Sequence, residues 1–406
     1  MRSYRELFRL AEFLPLFLAT TAQVAAVTVQ GLALATLVYG ATGSPLLSAV
    51  SMFGASFTQV IGATMLLSAA DRLPPRAALA ASGLLFAAGA CLLAVPGLPA
   101  GCLLLVVLAL GLVNSVAGAV RWGLLLRIVP EGGYVPARAV FNVSSGLTQI
   151  GGAALGGALI AALSARGALL LAAALFAATV PAVLLGLRPR PPWSAGRPSV
   201  AETWRVDRLL WSSPARRVVY LALWVPNGLI VGCEALFVPY APGSASVLYA
   251  AAAFGMLLGD ASVGRLVPPR LRARLITPLR LLLAAPFLLF ALPFRLPLGL
   301  AVAVVTLACL GYGASLLLTE RLVTLTPEEN RGQALGLHSA GLLFFQAVGA
   351  TLAGAVAVPL GPAGAMAAMA AASLLVSLLL TRGLSAGRVP PTPGRERTGT
   401  GPRQES

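Results

Sequence analysis

Long apolar runs, cut by short clusters of Arg, Gly and Pro, pattern this chain from end to end. Each run has about 20 residues or more, the length of an α-helix that crosses the hydrocarbon core of a bilayer. Twelve are predicted, over 13–39, 45–70, 77–95, 102–128, 139–163, 168–187, 218–240, 245–263, 275–294, 298–322, 334–358 and 363–381. The ninth is interrupted by Pro278, Pro286 and Pro293. A membrane helix tolerates proline where neighbours satisfy the freed carbonyls. Between the sixth and seventh runs, 188–217 is rich in Arg and Pro. Within it, 200–211 fits either a short amphipathic surface helix, with Trp204 and Trp211 at headgroup level, or a flexible linker. The division predicted is a six-helix bundle (1–187), a cytoplasmic linker (188–217), a second six-helix bundle (218–382) and a disordered tail (383–406). The first twelve residues carry Arg2, Arg5 and Arg9 and lead into a run too long for a signal peptide, so they read as a cytoplasmic arm.

Composition agrees with the pattern. Of 406 residues, 58% are apolar and 10% charged, and the mean hydropathy is +0.87. A water-soluble chain is nearer half apolar and a quarter charged. Soluble enzyme, nucleic-acid binder and disordered chain are therefore excluded for the bulk of the molecule. The net charge of +16 comes from 29 basic residues, all Arg. With the N-terminus inside, the outward loops hold only Arg166 and Arg295; the other 27 Arg lie in cytoplasmic segments or near inner helix ends. That asymmetry predicts a multi-pass plasma-membrane protein with both termini cytoplasmic. The charge serves topology and anionic headgroups, not nucleic acid. Cys91, Cys102, Cys233 and Cys309 have no metal-type spacing and read as small apolar side chains, with a Cys91–Cys102 disulfide the lesser alternative. No metal or cofactor is expected.

The halves repeat. LVYGATGS closes the first run and FVPYAPGS the seventh, placing Tyr39 and Tyr240 201 positions apart. Gly31 and Gly232 keep this offset, as do Phe53-Gly54 and Phe254-Gly255. Pro130 and Pro327 are 197 apart, and Gln149 and Gln346, Gly152 and Gly349, and Gly157 and Gly354 share that spacing. The fold class predicted is an all-α membrane protein of twelve transmembrane helices in two pseudo-symmetric six-helix bundles of the same orientation.

A charge at membrane depth costs about 2.5–3.5 kcal/mol on insertion scales and asks for a reason. Glu234, Asp260, Arg121 and Glu320 stand out. Arg121 and Glu320 sit at similar depth in opposite halves, so they fit either an ion pair between the halves or local partners such as Arg321. Glu234 follows Pro226, Asn227 and Gly228, a helix-breaking combination, and is the candidate for proton coupling. A carboxyl in low dielectric can exchange its proton near neutral pH. Gln23 and Gln30, seven apart on one helix face, and Asn114 and Asn227 would bond a substrate or a neighbouring helix. His338, the single His, reads as a packing residue.

LVYGATGSPLL, SAADRLPPR and QIGGAALGGALIA carry a resemblance to the major facilitator superfamily. More narrowly, the chain is similar to bacterial twelve-span exporters that include enterobactin and macrolide efflux proteins. SAADRLPPR resembles the family's Gly-x-Leu-Ala-Asp-Arg-x-Gly-Arg loop, with Leu67 and Pro74 replacing its glycines. The resemblance makes Asp71, Arg72 and Arg76 a cytoplasmic latch, and Asp260 joins them near the inner end of span eight. Gly151, Gly152, Gly156 and Gly157 resemble an antiporter segment in which Ala153 replaces the usual Pro. In this family spans one, four, seven and ten line a central cavity, which places Glu234, Arg121, Glu320, Gln23, Gln30, Asn114 and Asn227 on the substrate and proton pathway. The function implied is proton-coupled efflux of a small amphiphilic organic compound by a monomer. The alternatives are an uncoupled facilitator or importer and, remotely, a polytopic membrane enzyme; one His and scattered carboxylates give the last little to work with.

Overall fold

The computed structural model describes residues 4–65, 73–130, 134–192, 200–327 and 330–386. No strand occurs among them. An arm helix, Tyr4–Phe8, precedes span one, Phe13–Thr42. Span two is Pro45–Phe53 continued by Ala55–Met65, span three Pro75–Leu93 and span four Ala100–Ile128. Spans five and six share the helix Tyr134–Gly186. A linker helix, Val200–Ser212, leads to span seven, Pro214–Ala235 with a last turn Phe237–Tyr240. Span eight is Ala245–Leu266. Span nine runs through Pro278 as Pro269–Ala284 and tightens to a 3₁₀ helix at Ala285–Ala291, where Pro286 removes a donor. Span ten is Leu298–Cys309, a 3₁₀ turn Leu310–Tyr312, and Gly313–Thr324. Spans eleven and twelve share Arg331–Ala386.

The sequence explains the turns. Gly43 takes φ 63° after span one and returns its N–H to the Tyr39 carbonyl. At the next residue the Ser44 hydroxyl accepts the Leu47 N–H, and Pro45 opens span two. A left-handed glycine, a serine cap and an N-terminal proline thus build a short reversal. Elsewhere the reversal needs one residue. Ser164 (φ 66°, ψ 167°) breaks the helix shared by spans five and six, and Gly361 (φ 70°, ψ 167°) breaks that shared by eleven and twelve. By length and apolarity ten continuous helical stretches among the described residues can cross a membrane, and these two breaks turn them into twelve spans. Ser164 and Gly361 are 197 positions apart, the offset of the repeat.

Outward-facing side chains fit lipid: Leu185 is 88% exposed and Leu379 68%. Acyl chains accept such surface without the cost water would impose. Inside, two apolar clusters fill the first half, around Leu93–Phe176 and around Phe13–Phe141, and two fill the second, around Phe237–Phe287 and around Tyr220–Leu318. Small residues set the closest crossings. A Cβ on Gly349 would collide with the Gly228 carbonyl, and one on Gly228 with the Phe345 carbonyl, so spans seven and eleven meet backbone to backbone. In the first half Gly152 meets Thr28 at the corresponding place, a Cβ there lying 3.1 Å from the Thr methyl. The molecule is an all-α membrane protein of twelve helices in two pseudo-symmetric six-helix bundles. The predicted 383–406 tail and the tip of the latch loop lie outside the described residues.

Candidate functional site

The bundles are joined at the end that carries the 42–45 and 241–245 turns. There the Tyr39 hydroxyl of span one donates to the Pro239 carbonyl of span seven at 3.4 Å, and the Tyr249 hydroxyl of span eight meets the Met52 sulfur of span two at 3.2 Å. Ala49, Ala235 and Ala350 pack together across the interface. Two glycines from the repeat bring the backbones close. Gly157 faces Ser246 with no room for a Cβ, and Gly354 faces Leu46, whose Cα would stand 2.7 Å from one. Ser246 lies 201 positions after Pro45, beside Leu46, so the two contacts are copies of each other. Deeper in, the Phe57 ring of span two meets Phe344 of span eleven edge-on at 6.3 Å. At the opposite end, Glu12 pairs with Arg190 and, at 3.7 Å, with Arg188; Arg272 pairs with Glu320 at 3.0 Å; and Arg216 bonds the Leu325 carbonyl. None of these contacts crosses between the bundles.

Spans one and four are bridged by side chains. Arg121 donates to the Gln23 carbonyl oxygen, and the Gln23 amide reaches the Asn114 side-chain oxygen at 3.5 Å. Span one packs chiefly on spans five and six and touches span four little. The three residues therefore bridge two helices of the first bundle that otherwise touch little. Gln30, one heptad beyond Gln23, has its side-chain oxygen enclosed without a partner among the described residues.

Glu234 lies inside the second bundle. It is 7% exposed, and its carboxylate accepts from the Tyr312 hydroxyl of span ten at 3.1 Å, with the Cys309 sulfur 4.0 Å away. The Leu310–Tyr312 3₁₀ turn aims Tyr312 at it. No cation pairs with Glu234 among the described residues. The acid is thus walled by spans seven and ten. Asn227, two turns earlier, accepts from Gln346 of span eleven at 3.1 Å and holds helices together.

The remaining predicted residues fall elsewhere. Glu320 accepts from Arg272 of span nine through both oxygens at 3.0 Å, in the wall of a cavity of about 480 Å³ near the terminal end. Arg121 and Glu320 each have a partner in their own bundle. Asp71 and Arg72 lie outside the described residues. Arg76 donates to the Leu184 carbonyl, capping the end of span six as a cation at a helix C-terminus should. Asp260 is exposed on span eight. His338 accepts the Trp224 indole N–H at 3.2 Å, and its carbonyl takes the same donor at 3.0 Å. All four cysteines are free, Cys91 and Cys102 exposed and Cys233 and Cys309 buried.

The linker segment folds as an amphipathic helix docked on the second bundle. Trp211 stacks on Trp224 at 5.7 Å and 8°. Arg216 caps its end by bonding the Leu209 and Leu210 carbonyls. Asp207 accepts from Gln333 at 3.1 Å. Burial pushes the Asp207 carboxyl above its ordinary value, and the Gln333 amide offsets part of that.

Two participants escape a reading of the sequence. Tyr312 looks like one aromatic in an apolar run. Arg280 looks like one more inner-end arginine of span nine, yet it is 1% exposed. It donates to the Ser377 carbonyl at 3.3 Å, while its Nε and one terminal nitrogen are enclosed without partners among the described residues, as is the Ser377 hydroxyl. The signal available was its place eleven residues into the helix Pro269–Ala284, about 16 Å along the axis.

This arrangement is the major facilitator fold. Solved structures that share it include a bacterial homolog of the human lysosomal transporter Spinster in an inward-facing and unoccupied conformation (13% identity, covering 96% of this chain and 100% of that one, TM-score 0.72). A POT family transporter in complex with 5-aminolevulinic acid matches at 13% identity over 92% of this chain and 96% of that one, TM-score 0.72. The nucleoside transporter NupG matches at 14% identity over 92% and 99%, TM-score 0.69. No family profile and no curated protein sequence matches the chain.

Proposed function

We propose that the protein is a secondary transporter that exports a small amphiphilic organic compound (a drug, antibiotic or siderophore-like metabolite) across the plasma membrane in exchange for protons. The observation that carries the coupling is Glu234. A buried carboxyl with one hydroxyl partner and no cation to fix it as an anion can load and release a proton during a cycle. Alternating access is supported by the pattern of contacts between the bundles, tight at one end, and by the likeness to solved transporters. With both termini cytoplasmic, the sealed end faces outward and the conformation opens inward. The working unit is a monomer of two bundles, 1–187 and 218–382, joined by the 188–217 linker. Asp71, Arg72, Arg76 and Asp260 latch the inner end when it closes, and Gln23, Gln30, Asn114 and Arg121 line the pathway with Glu234, while Asn227 and Glu320 are held by Gln346 and Arg272 within the second bundle.

The test uses everted membrane vesicles carrying the full chain and a panel of anionic, neutral and cationic dyes, with and without an imposed pH gradient. The expected result is gradient-dependent accumulation of at least one dye, collapsed by a protonophore. Glu234→Gln removes the gradient dependence and leaves dye exchange. Equilibration indifferent to the gradient in the wild type assigns the uncoupled facilitator instead.

A further inference from the structure

We propose that the transported compound is an organic anion whose carboxylate or phosphate is received by Arg121, with its apolar body against the aromatic wall ending at Phe344. This assignment of substrate class rests on the transport reading above.

The charge argument starts from the guanidinium. Arg is charged at any accessible pH and brings five donors in a planar fork suited to carboxylate and phosphate. Arg121 gives one of these to Gln23. Gln23 is a neutral partner, so it orients the fork without cancelling its charge. Asn114 in turn steadies the Gln23 amide. The other Arg121 donors have no partner among the described residues. They are also absent from the enclosed polar atoms, whereas two nitrogens of Arg280 are sealed in. Of the two arginines at membrane depth, Arg121 is the one left partly exposed and Arg280 the one sealed in. Glu320, the acid at similar depth on span ten, is engaged by Arg272, Glu234 lies nearer the outer end with Tyr312, and no ion pair joins Arg121 to Asp260 of span eight among the described residues. On spans one and four, which line the pathway in the function proposed above, a guanidinium with no acidic partner among the described residues selects for a negative ligand.

The repeat breaks at the Gln23 position. Gln23 plus 201 is Trp224, so the position that holds Arg121 in the first half carries an indole in the second. Trp224 hands its N–H to His338 and stacks on Phe345 at 5.9 Å. Phe345 meets Phe344 edge-on at 5.5 Å, and Phe344 is 42% exposed opposite Phe57. One bundle therefore presents a cation and the other an aromatic edge. A ring-bearing anion satisfies both.

The experiment compares matched ligands on the detergent-purified full chain by thermal shift and titration. The probes are three ring systems (naphthalene, anthracene, xanthene), each bearing a carboxylate, a neutral amide or an amine. The carboxylate members are expected to stabilise the wild type and the amide and amine members not to. Arg121→Gln should weaken carboxylate binding about tenfold or more, the loss of one charged hydrogen bond, while Arg121→Lys, which keeps the charge and loses the fork, should weaken it less than Arg121→Gln. Amines or amides binding as well as carboxylates, or no carboxylate binding, overturns the assignment without recourse to any variant. So does Arg121→Gln binding carboxylates normally. Carboxylates that bind through Arg121 but are not moved by vesicles sink the transport reading alone. Proton-driven accumulation confined to cationic dyes sinks this one alone.

Discussion

Ser164 and Gly361 hold the same left-handed, extended backbone conformation at equivalent places in the two bundles. Glycine adopts it freely; for any other residue it costs on the order of 1–3 kcal/mol. Ser164 recovers part of this because its hydroxyl accepts the Gly167 N–H at 3.3 Å, capping span six. Ser164→Gly is therefore expected to stabilise the fold, since a glycine cap costs only a few tenths of a kcal/mol. Ser164→Ala keeps the strain, loses the cap, and should destabilise by about 1 kcal/mol. Gly361→Ala should cost about 1–3 kcal/mol. Thermal unfolding of the purified variants orders them; an unstable Ser164→Gly contradicts the assignment.

The backbone crossing of spans seven and eleven leads to a second expectation. Gly349→Ala drives a methyl into the Gly228 carbonyl and should destabilise by about 1–3 kcal/mol or more, as overpacking does. Gly101→Ala has nothing within 4 Å of the new methyl and should be neutral or slightly stabilising. Fluorescence-detected size exclusion after a heat step reports both.

Tyr312 positions Glu234 through a single hydroxyl bond. Tyr312→Phe deletes that bond and keeps the ring, so it should move the pH profile of transport while the protein stays folded. Cys309→Ala, with its sulfur 4.0 Å from the carboxylate, should leave the profile in place. Equal effects of the two would mean that packing, not the hydroxyl, matters.

Docking of the linker helix should depend on pH through Asp207. Its docked-state carboxyl titrates above the ordinary value because burial disfavours the anion. Below the ordinary carboxylate value docked and undocked forms are both protonated, and docking is at its strongest. As pH rises through the docked value the anion must be buried, and docking weakens. Asp207→Asn keeps the bond to Gln333 and removes the charge, so docking should become independent of pH. Mobility of a spin label at the exposed Arg208 measures it; a wild-type label insensitive to acid contradicts the account.

The spans and the first turn were legible in the sequence because they depend on local composition: apolar runs, Gly43, Ser44, Pro45. The repeat was legible too, and its 197 offset also joins Ser164 to Gly361, a pair the residue types conceal. The predicted loop at 164–167 is instead one strained residue, since a single positive φ suffices to reverse a helix. Side-chain partners were not legible. Glu234 and Tyr312 are 78 positions apart and Gln23 and Arg121 are 98 apart. Which of them meet depends on how each helix is rotated about its axis, and helices apolar all round carry little record of that. Glu320 shows the same: its depth allowed Arg121 or a local partner such as Arg321, and its rotation gives it Arg272.

The central claim is that the two bundles rock about a pathway between them. Paired spin-label distances test it most directly, one pair at Thr42 and Gly243 across the sealed end and one at Arg127 and Arg321 across the terminal end. On lowering pH or adding a transported dye, the first distance should lengthen in part of the population as the second shortens in the same part. Two distances that stay fixed under every condition, in protein that transports, would contradict the account.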